Sequence, residues 1–246
     1  MSTIGLIPAR RGSERVKNKN IRTLAGHPLL AYTIASARAS GVFERVLIST
    51  DCERTQRIGL HYGAEAPFLR PAEFATSTSP DIEWLRHCFE SLDGEYEAFA
   101  ILRPTSPFRT VGMLRRAHDQ FVSQEGIDSI RAVQLVSEHP GKMWTVDETT
   151  RRLTPFLPQD EMELPWHARQ YQDMPRVYVQ NSGLEMAWTR VVHETNSREG
   201  KIIGAFLTEG LEGFSIDRES EWAYAGLIAA EDPSLLPPID APPWQE

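Results

Sequence analysis

Ile4-Gly5-Leu6-Ile7-Pro8-Ala9-Arg10-Arg11-Gly12-Ser13-Glu14-Arg15-Val16-Lys17-Asn18-Lys19-Asn20-Ile21-Arg22 begins as an apolar run and passes at Pro8 into a basic loop. The run reads as a short buried strand, because continuous apolar residues suit a strand covered on both faces. The loop gathers Arg10, Arg11, Arg15, Lys17, Lys19 and Arg22 against Glu14 alone, in a chain of 246 residues whose net charge is −8. Cations concentrated on an anionic protein suit a small, highly charged ligand. On composition alone, a solvated surface loop is the favoured account of them.

Working outward, strands and helices alternate. Leu29, Leu30, Tyr32, Thr33, Ile34 and Ala37 follow Pro28 at helical spacing, and Gly41 ends that helix. Val46–Thr50 reads as a second strand, and Asp51 is placed to cap a helix running to about Tyr62. Ala66–Leu69 reads as a third strand, 81–92 as a helix, and Ala98–Leu102 as a fourth strand. A helix over 111–122 and a strand over 129–136 follow. This rhythm predicts an α/β fold with a mostly parallel, doubly wound sheet. Ligands of such sheets collect at loops leaving the carboxyl ends of strands. The loops 8–20, 49–51 and 103–109 hold the densest polar chemistry, which raises the basic loop above a merely solvated one.

Beyond Ser137 the rhythm breaks. Pro140, Pro155, Pro158, Pro165 and Pro175 alternate with Trp144, Trp166 and Tyr171, which reads as an inserted arm over 137–180, either an interface or a loop folded back on its own domain. Strands return at 177–179, 184–188 and 202–207, and a last helix is expected over 218–230. The expected organisation is one domain from 1–136 and 181–231, the arm, and a Pro-rich extended tail over 232–246.

Several classes drop out. No G-x-x-x-x-G-K-[ST] or post-strand G-x-G-x-x-G is present, and the histidines show no metal spacing. Ser13 and Ser182 lack a nucleophile elbow. The acidic balance argues against a nucleic-acid partner. No apolar run reaches the ~20 residues of a membrane span, no signal peptide is read, and Cys52 and Cys88 suit reduced thiols. The expected location is the cytoplasm.

Gly12 and Ser13 permit a turn that presents backbone N–H groups, while Arg and Lys supply cations. Together they can hold a triphosphate and offset charge developing on departing pyrophosphate. Here the chain resembles the acylneuraminate cytidylyltransferases, the CMP-sialic acid synthetases. The resemblance rests on Ile7-Pro8-Ala9-Arg10 with Gly12-Ser13 and Lys19-Asn20-Ile21, on Ser49-Thr50-Asp51, and on Leu69-Arg70-Pro71-Ala72-Glu73. It continues through Pro104-Thr105-Ser106-Pro107-Phe108-Arg109 and Ser215-Ile216-Asp217, all in the family's order.

The resemblance implies a Rossmann-like nucleotidyltransferase fold with an inserted dimerisation arm. It implies transfer of CMP from CTP to the anomeric hydroxyl of a nonulosonic sugar acid, with Mg²⁺ and release of pyrophosphate. By resemblance Arg10 and Lys19 bind phosphates, Asn20 and Arg70 hold the nucleotide, Thr105, Ser106 and Arg109 border the sugar acid, and Asp217 ligates Mg²⁺. The surrounding Ala9, Arg11, Gly12, Ser13 and Arg15 belong to the same nucleotide loop. A homodimer is implied whose arm residues Lys142 and Arg169 approach the partner's sugar acid.

Departures from the family pattern mark where this chain differs. Glu14 stands where a Lys is usual, so Arg15 or Arg11 is expected to replace it. Asp217-Arg218-Glu219 replaces Asp-x-Asp, which leaves Glu219 either a second metal ligand or a first-turn acid favoured by the helix dipole. Arg103 replaces Gln and suggests a different or more anionic acceptor. Gln180-Asn181-Ser182-Gly183 replaces the usual acceptor-side strand, so Gln180 and Asn181 are candidate substrate residues. Ser77-Thr78-Ser79-Pro80-Asp81 replaces the base-pocket run. Asp81 can accept from cytosine N4, accept from guanine, or cap the next helix. Asp51 is an acidic candidate for general base, or equally a cap. The competing readings are a guanylyltransferase, a 3-deoxy-octulosonate or phosphonate cytidylyltransferase, and a catalytically silent nucleotide-binding protein.

Overall fold

The computed structural model describes residues 1–12, 15–158 and 164–245. Ser13 and Glu14 therefore lie outside the described residues. The chain forms two compact units, Met1–Ala132 with Asn181–Glu246, and Val133–Gln180.

The first unit is built on strands β1 (Thr3–Pro8), β2 (Arg45–Ser49), β3 (Ala98–Ile101), β4 (Ser129–Leu135), β5 (Tyr178–Trp188) and β6 (Ile203–Leu207). Their order across the sheet is β6-β4-β5-β3-β1-β2. β1 pairs in parallel with both β2 and β3, and β3 pairs antiparallel with β5. The helices are α1 (Leu29–Ser40), α2 (Glu53–His61), α3 (Asp81–Ser91), α4 (Val111–Ser123), α5 (Arg190–Thr195) and α6 (Glu219–Glu231).

The pleat sends alternate residues to opposite faces, and both faces are covered. Ile7, Val46, Ile48, Ala98 and Ala100 pack with Leu30 and Ile34 of α1, Ile58 of α2 and Phe121 of α4. Ile4, Leu6, Leu47, Phe99 and Ile101 pack with Trp84, Leu85 and Cys88 of α3 and Val192 of α5. That is the doubly wound arrangement the alternation predicts. A third cluster joins Val16, Leu24, Leu29 and Tyr32 to Phe108, Ile216 and Trp222. It seats the start of α6 beside the basic loop.

Three local expectations are corrected. Ala66–Leu69 is not a strand. Only Glu65 bridges to Leu47, because the Gln56 side-chain amide donates to the Ala66 and Phe68 carbonyls at 2.8 and 3.4 Å and so satisfies them without a ladder. Asp51 caps no helix: Cys52 precedes α2 without a side-chain cap, and Asp51 Oδ1 accepts from Arg11 N at 2.7 Å. Residues 178–179 and 184–188 are not in separate strands but in one continuous β5, which begins at Tyr178 and leaves Val177 outside. Gly183 does not interrupt it; its bare Cα lets Met113 Cε come within 2.7 Å of where a Cβ would stand.

The tail turns once at Pro233–Leu235 and then lies against the first unit. Leu236, Ile239 and Trp244 pack on its clusters, and Trp244 N donates to the Tyr62 hydroxyl at 3.0 Å. In the second unit, Trp144–Val146 and Leu153–Pro155 pair antiparallel, and Trp144, Val146, Leu153 and Phe156 are exposed.

Gly59 gives a direct test of the packing. A Cβ there would stand 2.9 Å from Ile48 Cγ2 in the sheet. Alanine would gain about 1 kcal/mol of helix propensity, but overpacking costs about 1–3 kcal/mol. Gly59→Ala should therefore lower Tm in calorimetry, whereas a raised Tm would show that the α2–sheet contact yields.

Candidate active site

A cavity of ≈390 Å³ opens at the carboxyl ends of β1, β2 and β3. Arg10, Gly12, Arg15, Lys19 and Asn20 of the basic loop line it. The loop is turned by Asn18, whose φ of 54° lies in the left-handed region that asparagine tolerates. Lys19–Ile21 then form one helical turn. Asn20 Nδ2 donates to the Arg10 carbonyl at 3.2 Å and holds the two limbs of the loop together.

Lys19 is largely buried, and a buried ammonium needs partners. Its Nζ donates to the Ile216 carbonyl at 2.6 Å and to Asp217 Oδ1 at 3.0 Å. Ser215 Oγ donates to Asp217 Oδ2 at 3.0 Å. Burial pushes the Asp217 carboxyl up, but Lys19, Ser215 and the Arg15 charge outweigh it, and the net shift is downward. Asp217 is therefore an ionised carboxylate on the wall of a cationic cavity.

Arg70 also lines the cavity, on the side of β2. Its Nε and Nη2 donate to Ser49 Oγ and O at 3.0 and 2.8 Å, and its guanidinium lies 5.0 Å from the Trp84 ring centroid. Arg103, Pro104 and Thr105 form the opposite side with Ser182. Sequence reasoning missed Trp84, Phe74 and Ser182. Neither Trp84 nor Phe74 belongs to a motif in the sequence, and Ser182 enters there only as a serine without a nucleophile elbow and as part of the altered acceptor-side strand.

Other candidates fall elsewhere. Ala9 is fully buried, with its N–H on the Ser49 carbonyl at 2.9 Å, so it offers the cavity no side chain. Arg11 faces a neighbouring cavity of ≈520 Å³ with Asp51 and Arg54, so Asp51 is not placed as the general base of the main cavity. Ser106 is buried and does not line the cavity. Asn181 donates to Thr208 Oγ1 at 2.9 Å and accepts from Gly183 N at 3.0 Å. Ser13 lies outside the described residues. Lys142, Arg169 and Gln180 belong to the second unit. There, Lys142 Nζ donates to the His167 and Arg169 carbonyls at 3.2 and 2.7 Å, and Arg169 Nε donates to the Leu164 carbonyl at 3.1 Å.

Three assignments change. Arg109 does not border a substrate. It is 0% exposed, and burial depresses its pKa to about 9. Its guanidinium donates to the Gly183, Arg103 and Ser182 carbonyls at 2.5, 2.9 and 3.1 Å and to Thr33 Oγ1 at 3.0 Å. Glu219 is not among the residues that line the cavity with Asp217 and is paired with Arg22. Arg22 Nη1 donates to its two oxygens at 2.9 and 2.7 Å, and the same guanidinium lies 4.3 Å from the Trp222 ring centroid. Among the described residues no group of three His, Cys, Asp or Glu could hold a metal. Asp81 is not a free base acceptor: its carboxylate takes Trp84 Nε1 at 2.8 Å, Arg103 Nη2 at 2.5 Å, and Arg198. Nor does it cap α3, which follows Pro80.

A loop of cations leaves the first strand of this sheet and closes against one carboxylate, an arrangement suited to a nucleotide's phosphates. The comparisons give the family. Residues 4–91 match the cytidylyltransferase family. The CMP-N,N'-diacetyllegionaminic acid synthase of Legionella pneumophila is 31% identical over 91% of this chain and 94% of its own. The N-acylneuraminate cytidylyltransferase of Escherichia coli is 47% identical over 43% of this chain, which spans 25% of that longer protein. The chain therefore belongs to the acylneuraminate-type cytidylyltransferase family. A solved CMP:2-keto-3-deoxy-manno-octonic acid synthetase complexed with CTP shares the fold, with a TM-score of 0.70 at 14% identity over 94% of this chain and all of that one.

The Arg109 assignment has a stability readout. Arg109→Met strands three carbonyls and a hydroxyl in the interior, which costs about 3 kcal/mol or more. Urea unfolding should show that loss, and an unchanged midpoint would return Arg109 to the cavity wall.

Proposed function

We propose that this chain transfers CMP from CTP to the anomeric hydroxyl of a nonulosonic acid of sialic, legionaminic or pseudaminic type, releasing pyrophosphate. The observation that carries the reading is the convergence of Arg10, Arg15 and Lys19 on one cavity with ionised Asp217. It occurs in a chain collinear with a CMP-legionaminate synthase over 94% of that relative. Phosphoryl-type transfer asks the protein mainly for positioning and for charge stabilisation. Arg10, Arg15 and Lys19 hold the triphosphate and take up the charge that builds on the leaving pyrophosphate. Arg70 and Asn20 fix the nucleoside, and Thr105 with Arg103 borders the acceptor.

The site fits Mg²⁺. A magnesium ion asks for one or two carboxylates, with substrate phosphates and water completing its shell, and Asp217 supplies an ionised one. Asp217 would hold the ion; Glu219, held by Arg22, would not. When bound, the ion neutralises phosphate charge. The second unit serves in this reading as a dimerisation arm that carries Lys142 and Arg169 to the partner's site, supported by its exposed Trp144, Val146, Leu153 and Phe156. Among the described residues no helix is long and apolar enough to cross a membrane, and the reading places the enzyme in the cytoplasm with its CTP.

Pyrophosphate release across four nucleoside triphosphates and several sugar acids should show activity in the CTP row alone, abolished by EDTA. Asp217→Ala should lose at least about a hundredfold of that rate, the scale of removing one transition-state charge partner. Glu219→Gln should stay within about threefold, since an exposed ion pair contributes little. Activity with GTP alone would overturn the base assignment. Thermal stabilisation by CTP without turnover of any acceptor would overturn the enzyme in favour of a silent nucleotide-binding protein.

A further inference from the structure

Arg103 follows β3 by two residues and lines the cavity. Alone it would be a mobile cation on a long stem. Here it is fixed. Its Nη2 donates to Asp81 Oδ2 at 2.5 Å and to Glu185 Oε1 at 3.2 Å, and its Nε reaches the same Glu185 oxygen at 3.4 Å. Behind these carboxylates stand two more guanidiniums. Arg131 pairs with Glu185 Oε2 at 3.0 Å and with Glu199. Arg198 pairs with Asp81, with Glu185 Oε2 at 3.3 Å and with Glu199 Oε2 at 3.8 Å. Three cations thus meet three carboxylates, and the cluster carries no net charge.

Two consequences follow. The charge that Arg103 brings in place of a neutral residue is cancelled locally, so it does not create the anion-attracting site that the bare sequence suggests. What remains is Nη1, which makes none of these bonds, on a guanidinium plane locked from the other side. Burial opposes the charge on both Asp81 and Arg103, yet their mutual attraction wins: the Asp81 carboxyl is shifted down and the Arg103 guanidinium up. Both therefore stay ionised, and the lock holds across the working pH range.

The strand order sets the anchors of Arg103 and Arg70 on either side of the strand that carries the basic loop. The phosphate-binding cations leave β1. Arg70 is anchored to Ser49 at the end of β2, on one side of them. Arg103 follows β3, and Glu185 on β5 pairs with Ile101 at the end of β3, on the other side. Trp84 joins the two, packing on Arg70 and donating to Asp81, and Arg103 stands beside Thr105, where the reading above sets the second substrate.

Resting on the cytidylyl-transfer reading above, we propose that Arg103 determines acceptor specificity as a fixed hydrogen-bond donor to an uncharged oxygen, a hydroxyl or acyl carbonyl, of the sugar acid. Asp81 and Glu185 are its positioning residues. It does not act as counter-ion to an additional carboxylate.

The test uses the full-length protein and whichever of N-acetylneuraminate, a legionaminate or a pseudaminate the wild type turns over fastest. Pyrophosphate release gives kcat and KM, and tryptophan fluorescence gives the CTP Kd independently of turnover. Arg103→Met should raise the acceptor KM at least tenfold, with the CTP Kd within twofold. Arg103→Gln, which keeps an uncharged donor, should recover most of that loss and outperform Arg103→Lys. Asp81→Asn should raise the acceptor KM several-fold while leaving the CTP Kd in place. An acceptor KM unchanged in Arg103→Met, or Lys outperforming Gln, would overturn the proposal and make Arg103 a spectator or a counter-ion. Where Arg103→Met fails to fold, the Gln-against-Lys order decides alone. A wild type that releases no pyrophosphate with any acceptor defeats the cytidylyl-transfer reading itself, an outcome distinct from an active wild type indifferent to Arg103.

Discussion

Lys19 and Asp217 are 198 positions apart and in contact, and the geometry of the site depends on that contact. Lys19 reaches the pair by giving up most of its exposure, which a cation tolerates only with full hydrogen bonding. The Ile216 carbonyl and the Asp217 carboxylate supply it. Ile216 in turn donates its N–H to the Thr105 carbonyl at 2.8 Å. The loops after β1 and β3 and the start of α6 are therefore stitched at one point. Arg22 on Glu219, backed by Trp222, adds a second strut between the same two segments. Glu219, which reads in sequence either as a metal ligand or as a first-turn acid, lies in the first turn of α6 and is paired with Arg22.

The sheet was legible because its strands are covered on both faces and so read as unbroken apolar runs. Ile4–Ile7 and Ala98–Leu102 could be little else. Errors arose where a distant or neighbouring side chain replaced a backbone partner. Gln56 satisfied the carbonyls expected in a third strand, and one continuous β5 runs through the gap expected between two strands. The site followed the same rule. Arg10, Arg15, Lys19 and Asn20 lie on one continuous loop, so their shared purpose was visible locally, and Asp217 was visible through the family pattern. Arg109 was not, since its burial is decided by Thr33 on α1 and by Ser182 and Gly183 on β5, two other parts of the chain. The fates of Glu219 and Asp81 were likewise set by Arg22, Arg103 and Arg198, which no spacing in sequence connects to them.

Arg109 in the interior and Arg70 and Arg103 on the cavity wall are each handled differently. Arg109 has no acid in hydrogen-bond range; carbonyl dipoles and one hydroxyl stabilise it, and it holds the loop after β3 against β5. Arg70 is anchored at one edge by Ser49 and packed on Trp84, without a carboxylate hydrogen-bonded to it. Burial disfavours its charge, nearby Arg10 adds to that, and Asp51 and Asp81 offset it only in part. An anion arriving in the cavity relieves both penalties, so Arg70 is poised to gain from a charged ligand. Arg103 is already neutralised by Asp81 and Glu185 and gains little Coulomb energy from any newcomer. The same residue type thus produces a scaffold, an electrostatic receptor and a directional donor, and the partners waiting in the fold decide which. That division lets one cavity bind a polyanion strongly on one side while reading shape and hydrogen bonding on the other.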